Sequence, residues 1–259
     1  MARREISGLR AIVTGASSGI GRALVIELVR RGSKVVAMGR RADRLQSLAS
    51  EVAAPDRYRS VTGDVTQRED RLRALELARR EFGGLDCLAN NAGIGALGRF
   101  DAADESRLRR VMEVNFFAPA EFIREALPLL KEGNRPIIVN IGSVLGHRAM
   151  PEKSEYCASK FALHGFSDAL RAELAPLGID VLLVSPSTTT SEFFDVAAGQ
   201  STKLQGRFGA TPAETVARHA VAAIAAGRHE IILTLSGKLL VWLDRLCPPL
   251  ANWLIARWG

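Results

Sequence analysis

The N-terminal part of the chain carries a short β-branched segment that leads directly into a glycine-rich turn and then into a helical pattern. The segment is Arg10–Thr14, the turn is Gly15–Gly21, and the helical pattern begins at Ala23. In this order they form a phosphate site, because glycines let the backbone approach a pyrophosphate and a helix start offers unpaired N–H groups. The spacing is G-x-x-x-G-x-G, and such a turn can also carry glycine for its backbone conformation alone.

Strands and helices alternate through the rest of the chain. Helical patterns separate strands predicted over residues 10–14, 34–38, 58–65, 85–89, 137–141, 179–184 and 230–234. One long helix is expected from Glu105 to Leu130, bent at Pro119, and another is expected to start with a cap at Thr66. This alternation implies a single doubly wound Rossmann-type α/β domain with a seven-stranded parallel sheet over residues 1–235.

The composition is that of an ordinary globular protein, with 259 residues, 47% of them apolar and 24% charged. Its net charge of +7 includes 35 Lys and Arg residues that are scattered along helical faces, so no nucleic-acid partner is expected. Cys87, Cys157 and Cys247 show no metal-ligand spacing and are expected to be reduced. The N-terminus has no signal-peptide core, and no long apolar span follows. We therefore expect a cytoplasmic protein without a metal site.

The second predicted strand ends in Gly39-Arg40-Arg41. In dinucleotide folds an acid at this place binds the ribose 2′-OH, whereas arginine accommodates a 2′-phosphate. Two guanidinium groups replace the acid, which favours NADP over NAD; the alternative is that both arginines are solvated surface residues. The third strand ends near Asp64 and Val65, where an adenine edge can meet the Asp64 carboxylate.

Tyr156 and Lys160 are four residues apart in a helical pattern, so their side chains lie on one face of the helix. An adjacent ammonium group favours the phenolate and lowers the tyrosine pKa from its usual value of ~10. Such a tyrosine can act as a general acid or base. Ser143 follows the strand over residues 137–141, so its hydroxyl is expected at the sheet edge where α/β folds bind ligands.

Five motifs stand in order along the chain: Thr14-Gly-x-x-x-Gly-x-Gly21, Asn90-Asn-Ala-Gly93, Asn115, Ser143 and Tyr156-x-x-x-Lys160. With them the sequence, from about residue 8 to residue 235, resembles the short-chain dehydrogenase/reductase family in its compact single-domain form. The resemblance implies hydride transfer at a nicotinamide, which the cofactor supplies while the protein positions groups and manages protons.

The resemblance also implies residue roles. Tyr156 would exchange a proton with the substrate oxygen, and Ser143 would hold that oxygen by a hydrogen bond. Lys160 would lower the tyrosine pKa and bind the nicotinamide ribose. Asn115 would hold a water linking Lys160 to solvent, although periodicity alone favours a buried structural asparagine. Further cofactor contacts are expected from Gly15, Ser17, Ser18, Gly19, Ile20, Gly21, Asp64, Val65, Asn90, Ala92, Gly93, Pro186, Thr189 and Ser191.

The sequence departs from the family pattern after the sixth strand. The family usually has Pro-Gly and then a threonine that contacts the carboxamide, whereas this chain has Pro186-Ser187 and, at the matching place, Ser191. Serine adopts a positive φ less readily than glycine. The loop is therefore expected to lie differently over the nicotinamide.

The substrate is expected to be a hydrophobic ketone, aldehyde or alcohol. Side chains near the reacting carbon should come from residues 144–151 and from a lid over residues 193–208. Their apolar members are Leu145, Met150, Phe193, Phe194 and Phe208. The alternative is that these residues pack the lid against its own subunit. His147 is expected to face solvent, with a polar substrate contact as the alternative.

Residues 236–259 form an amphipathic tail that holds all three tryptophans of the chain. Leu239, Trp242 and Leu246 mark one helical face, and Pro248-Pro249 interrupts it. We expect the tail to pack on a neighbouring subunit of a dimer or tetramer, and peripheral contact with a membrane is the alternative.

Two classes of function follow from the sequence. The first is an NADP(H)-dependent oxidoreductase that interconverts an apolar ketone or aldehyde and its alcohol. The second is a catalytically idle NADP-binding sensor or scaffold on the same fold. Intact Ser143, Tyr156 and Lys160 favour the enzyme.

Overall fold

The computed structural model describes residues 4–190 and 210–258, and its centre is a seven-stranded parallel sheet. The strands in chain order are β1 (Arg10–Thr14), β2 (Lys34–Gly39), β3 (Tyr58–Thr62), β4 (Cys87–Asn90), β5 (Ile137–Ile141), β6 (Asp180–Ser185), β7 (Thr189–Thr190), β8 (Thr211–Pro212) and β9 (Glu230–Ile232). The seven main strands lie in the order β3-β2-β1-β4-β5-β6-β9, and every neighbouring pair is parallel. β7 and β8 pair with each other. The predicted fold class is confirmed.

Helices cover both faces of this sheet. In chain order they are α1 (Gly19–Arg30), α2 (Ala42–Val52), α3 (Arg68–Phe82), α4 (Glu105–Met112), α5 (Ala118–Lys131), α6 (Ser154–Leu174), α7 (Ala213–Ala226), α8 (Leu235–Leu246) and α9 (Pro248–Trp258). Successive strand residues point to opposite faces. Val13 therefore packs into a cluster with α1, α2 and α7, while Ile12 packs into another with α3, α5 and α6.

The direction in which the chain adds strands to the sheet reverses between β1 and β4. From β1 the chain adds β2 and then β3 on one side, and it returns to place β4 on the other side. The connections after β1 and after β4 consequently leave the sheet in opposite directions and open a crevice at its carboxyl edge. Open α/β sheets bind their ligands at this kind of point.

The long helix predicted from Glu105 to Leu130 is interrupted, contrary to expectation. A π-helical segment, Glu113–Phe117, separates α4 from α5. Pro119 lies in the first turn of α5, where its missing N–H is tolerated, so the irregularity precedes the proline. The predicted cap at Thr66 is also wrong: α3 begins after Gln67, and the backbone N–H and hydroxyl of Thr66 both donate to Asp64 Oδ1 at 2.9 Å.

The tail consists of two helices that meet at Cys247, and α8 begins at Leu235, one residue before the predicted boundary. The outer face of the tail exposes large apolar side chains, among them Trp242 of α8 and Trp253 of α9, which are 55% and 56% exposed. Each helix among residues 4–190 and 210–258 is too short or too polar to span a bilayer.

Candidate active site

A cavity of about 520 Å³ lies at the carboxyl edge of the sheet. Its walls come from the segments that follow β1, β2, β3, β4, β5 and β6, and from α6 and α8. Most of the residues proposed from the sequence line it: Gly15, Ser17, Ser18, Gly19, Ile20, Arg40, Arg41, Asp64, Val65, Ala92, Gly93, Ser143, Tyr156, Lys160, Pro186 and Thr189.

The glycine turn after β1 has the form of an anion cradle. Gly15 has φ +64°, and a Cβ there would lie 2.8 Å from Ala92 Cα, so only glycine fits. Helix α1 starts at Gly19; its N-cap, Ser18, makes no side-chain capping bond, and its first turn has no acidic residue. The N–H groups of the first turn therefore face the cavity without a competing negative charge, which fits a pyrophosphate. Gly21 lies outside the lining and lets α1 pack on Gly15.

Two arginines flank the cavity where β2 ends. The Arg41 guanidinium donates to Ser17 Oγ from Nε and Nη2, at 3.3 Å each. Arg40 Nη1 lies 4.0 Å from Asp64 Oδ2, and the Arg40 side chain is 66% exposed. Both guanidinium groups thus border the space next to the glycine cradle, where an added phosphate would be held by paired donors.

Two neighbouring asparagines at the end of β4 have different surroundings. Asn90 is the last residue of the strand, and Asn91 follows it at the cavity. Asn90 is turned into the sheet, where its Nδ2 donates to Asn140 Oδ1 at 3.0 Å, so its predicted cofactor contact does not come from the side chain. Asn91 instead binds the end of β1 and the glycine turn, with Nδ2 donating to the carbonyls of Thr14 at 2.8 Å and Gly15 at 3.3 Å. Sequence patterns gave no sign of this difference, because both asparagines are small polar residues after a strand.

Ser143, Tyr156 and Lys160 come together on one wall. Ser143 caps the turn after β5, and its hydroxyl lies near enough to the Tyr156 phenol to lower the pKa of that phenol. Lys160 Nζ lies 5.8 Å from the centre of the Tyr156 ring and donates to the Ile141 carbonyl at 2.8 Å. The helical spacing thus places the ammonium beneath the ring, as predicted.

The protonation of this group differs from the expectation. Burial raises the pKa of Tyr156 to about 12, and the nearby Ser143 hydroxyl offsets only part of this effect. Burial also lowers the pKa of Lys160 to about 8. The predicted lowering of the tyrosine pKa is therefore wrong, because desolvation of the phenol outweighs any effect of the ammonium. At neutral pH the phenol keeps its proton.

Asn115 lies in the π-helical segment and is almost fully buried. Its Oδ1 accepts from the Ile94 N–H at 2.8 Å, and its Nδ2 donates to the Ile94 carbonyl at 3.0 Å and to Ser159 Oγ at 2.9 Å. The side chain joins this helix to α6 one residue before Lys160. This is the structural role that periodicity favoured, and a part in a proton network stays a prediction.

Ser187, in the loop after β6, has the backbone conformation expected of a serine, and the different placement of this loop over the nicotinamide stays a prediction. This residue is not among the non-glycine residues with positive φ. Its hydroxyl accepts from Thr234 Oγ1 at 3.1 Å, and Thr234 caps α8. Ser191 and the lid over residues 193–208 lie outside the described residues.

Two features of the site were not anticipated. The inner face of α8 forms part of the cavity wall through Ser236, Gly237 and Leu240, although the tail was expected to be separate. His147 was expected to face solvent, yet its side chain is only 2% exposed. Both depend on contacts between segments distant in sequence.

A doubly wound parallel sheet with an anion cradle at its switch point, next to a serine, a tyrosine and a lysine on one wall, defines a class of dinucleotide-dependent oxidoreductases. Residues 10–200 match the family described as short chain dehydrogenase. An uncharacterized oxidoreductase of Myxococcus xanthus is 36% identical over 189 residues, which are 73% of this chain and 75% of that protein. The chain belongs to the short-chain dehydrogenase/reductase family.

Solved structures agree with this assignment. A short-chain dehydrogenase/reductase from Burkholderia phymatum in complex with NAD matches with a TM-score of 0.88 and 26% identity, covering 95% of this chain and 96% of that one. A short chain dehydrogenase from Burkholderia cenocepacia in complex with NADP matches with a TM-score of 0.82 and 28% identity, covering 98% of both chains. These relatives bind different nicotinamide cofactors.

The buried lysine predicts a pH dependence of stability. Between pH 8 and 10.5 the unfolded chain holds the Lys160 proton and the folded chain does not, so folding is increasingly favoured as the pH rises. We expect the unfolding free energy of the parent, relative to Lys160→Met, to increase across this window in urea titrations. Lys131→Met, at an exposed position of α5, serves as the control. An equal response of both variants would contradict the burial of a neutral lysine.

Proposed function

We propose that this chain is an NADP(H)-dependent oxidoreductase that interconverts an apolar ketone or aldehyde and the corresponding alcohol. The observation that carries the proposal is the placement of Ser143, Tyr156 and Lys160 on the wall of the cavity that also contains the glycine cradle. When bound, the nicotinamide cofactor supplies or accepts the hydride. A polar pair at the reacting end of one continuous cavity gives the substrate oxygen a defined place.

Each member of the catalytic group has a distinct task in this proposal. Ser143 donates a hydrogen bond that orients the substrate oxygen. Tyr156 donates its proton to that oxygen in reduction and accepts it in oxidation. The raised tyrosine pKa supports the acid form in the free protein. Lys160 holds the nicotinamide ribose.

The choice of NADP rests on the end of β2. Gly39 stands where an acid would bind a 2′-OH, and Arg40 and Arg41 line the adjoining cavity. The relatives bind NAD in one case and NADP in another, so the cofactor is argued from these residues.

The proposed substrate is apolar because the wall around the catalytic pair is largely apolar. Ile94, Leu145, Met150 and Leu240 contribute to it, and Lys153 adds one amine. An idle sensor or scaffold has no need of a proton donor beside a serine, so we favour the enzyme.

Tyr156→Phe tests the mechanism. We expect turnover with NADPH and a panel of ketones, aldehydes and quinones to fall by at least about 100-fold, because the transferable proton is lost. The NADPH affinity, followed by fluorescence titration, should be nearly unchanged. Tyr58→Phe makes the same chemical change at the other tyrosine of the chain and should keep activity. Retained turnover in Tyr156→Phe would rule out the proposed role.

Arg40→Asp tests the cofactor preference. The new carboxylate would repel a 2′-phosphate and accept from a 2′-OH, so NADPH binding should weaken about 10- to 100-fold while NADH binding improves. Arg44→Asp places the same charge change on the exposed side of α2 and should leave the ratio of the two affinities intact. Equal affinity of the parent for NADPH and NADH would contradict the preference.

We also propose that the exposed face of α8 and α9 covers a neighbouring subunit. Among the side chains that the structure describes on this face, Trp242 and Trp253 are the largest exposed ones. Changing both to Gln should lower the mass measured by light scattering, because an apolar interface loses its main contacts. A parent protein that is monomeric and sediments with anionic vesicles in a salt-dependent way would instead establish membrane contact. Neutral vesicles provide the control for the charge effect.

A further inference from the structure

His147, His164 and Glu230 form a cluster behind the catalytic wall. His147 follows the turn capped by Ser143, His164 lies on α6 one helical turn after Lys160, and Glu230 begins β9. One potential ligand atom from each residue lies within 4.8 Å of the other two. The two imidazole rings have their centres 4.3 Å apart. Three metal-ligating side chains from separate segments therefore converge on one point.

The hydrogen bonds of His164 fix which nitrogen is available. Its Nδ1 lies 3.1 Å from the Gly146 carbonyl, which can only accept, so Nδ1 carries a proton. Its Nε2 lies 3.4 Å from Asp168 Oδ2, and Asp168 is itself paired with Arg171. Nε2 is therefore the ring nitrogen left to bind a cation. A ring N–H that donates to a backbone carbonyl while the other nitrogen binds an ion is the usual arrangement of metal-ligating histidines.

His147 and Glu230 are incompletely satisfied. The His147 side chain is 2% exposed, and neither its Nδ1 nor Glu230 Oε1 has a hydrogen-bond partner among the described residues; of these two atoms, Glu230 Oε1 is the one that would meet the ion. His147 Nε2 lies 3.1 Å from Ser185 Oγ and 3.0 Å from Glu230 Oε1. Neighbouring ligands of a tetrahedral zinc ion lie about 3.3 Å apart, given its usual bond lengths. The spacing of His147 Nε2 and Glu230 Oε1 thus resembles that of two donors to one ion.

The charge of the cluster has the sign that a cation requires. The group contains the carboxylate of Glu230, whose side chain is 31% exposed, and has the carboxylate of Asp168 beside it. His147 and the nearby Arg245 help to lower the pKa of Glu230. A divalent ion would compensate the carboxylate charge and meet the unprotonated His164 Nε2. Two imidazoles and one carboxylate are a ligand set that zinc uses in proteins, and imidazole also suits nickel, copper and iron.

We propose that His147, His164 and Glu230 bind a divalent first-row transition-metal ion such as Zn²⁺, with the Ser185 hydroxyl beside the remaining coordination position. The His164 ring must move by about an ångström or somewhat more to bring all ligand atoms to tetrahedral spacing. The bound ion joins the turn after Ser143, α6 and β9, and it stabilises the folded chain because the unfolded chain has no such site.

The test uses the full chain after treatment with a chelator, without cofactor or substrate. Calorimetric titration with Zn²⁺ should give one ion per chain, and thermal unfolding should shift to higher temperature. His164→Gln and Glu230→Gln should each weaken binding by at least about tenfold. His219→Gln, at an exposed histidine of α7, and Cys247→Ser, at the exposed cysteine, should bind as the parent does.

X-ray absorption of the zinc-loaded parent keeps the proposal testable if a cluster variant fails to fold. We expect scattering from two imidazoles. Absence of imidazole scattering, no stoichiometric binding, or a loss of binding in His219→Gln or Cys247→Ser would overturn the site. In those cases hydrogen bonds without a metal ion would hold the three side chains together. Because neither turnover nor NADPH binding is measured, failure here leaves the proposed oxidoreductase function untouched.

Discussion

Thr14 ends β1 where the sheet changes direction, and its hydroxyl accepts hydrogen bonds from the N–H groups of Asn91 and Ala92, both at 3.0 Å. The Asn91 side chain donates back to the Thr14 carbonyl. These bonds hold the loops after β1 and β4 at a distance that only Gly15 permits. This junction positions the turn that leads into α1 and the loop after β4, which both line the cavity. The polar groups of this junction therefore bind one another and are not left unpaired beside the crevice.

Much of the fold and part of the site could be predicted because they depend on local patterns. Apolar runs that alternate with helical patterns predicted the parallel sheet, since strands buried on both faces appear as continuous apolar runs. The glycine turn after Thr14 is recognisable because backbone conformation and close packing restrict the residue type. Tyr156 and Lys160 were brought together by helical spacing alone. Ser143 needed only the direction of β5.

The remainder depends on contacts that no local pattern contains. The buried environment of His147 arises from β6, β9 and α6, which are distant in sequence. The tyrosine pKa was misjudged because the spacing to Lys160 says nothing about desolvation of the phenol. The π-helix around Asn115 follows from packing against Ile94 and Ser159 rather than from helix propensity. Likewise, α8 becomes part of the cavity only through its position over the β6 loop.

The candidate site is assembled from the ends of strands spread over most of the chain, so it exists only when the whole sheet has formed. Parallel sheets rely on contacts between distant residues, which makes their folding slow. A dinucleotide that binds only the folded chain shifts the folding equilibrium, by about 2.7 kcal/mol at a concentration one hundred times its Kd. With a dinucleotide that binds in this way, the lifetime of the folded chain against proteolysis would rise with the cofactor concentration.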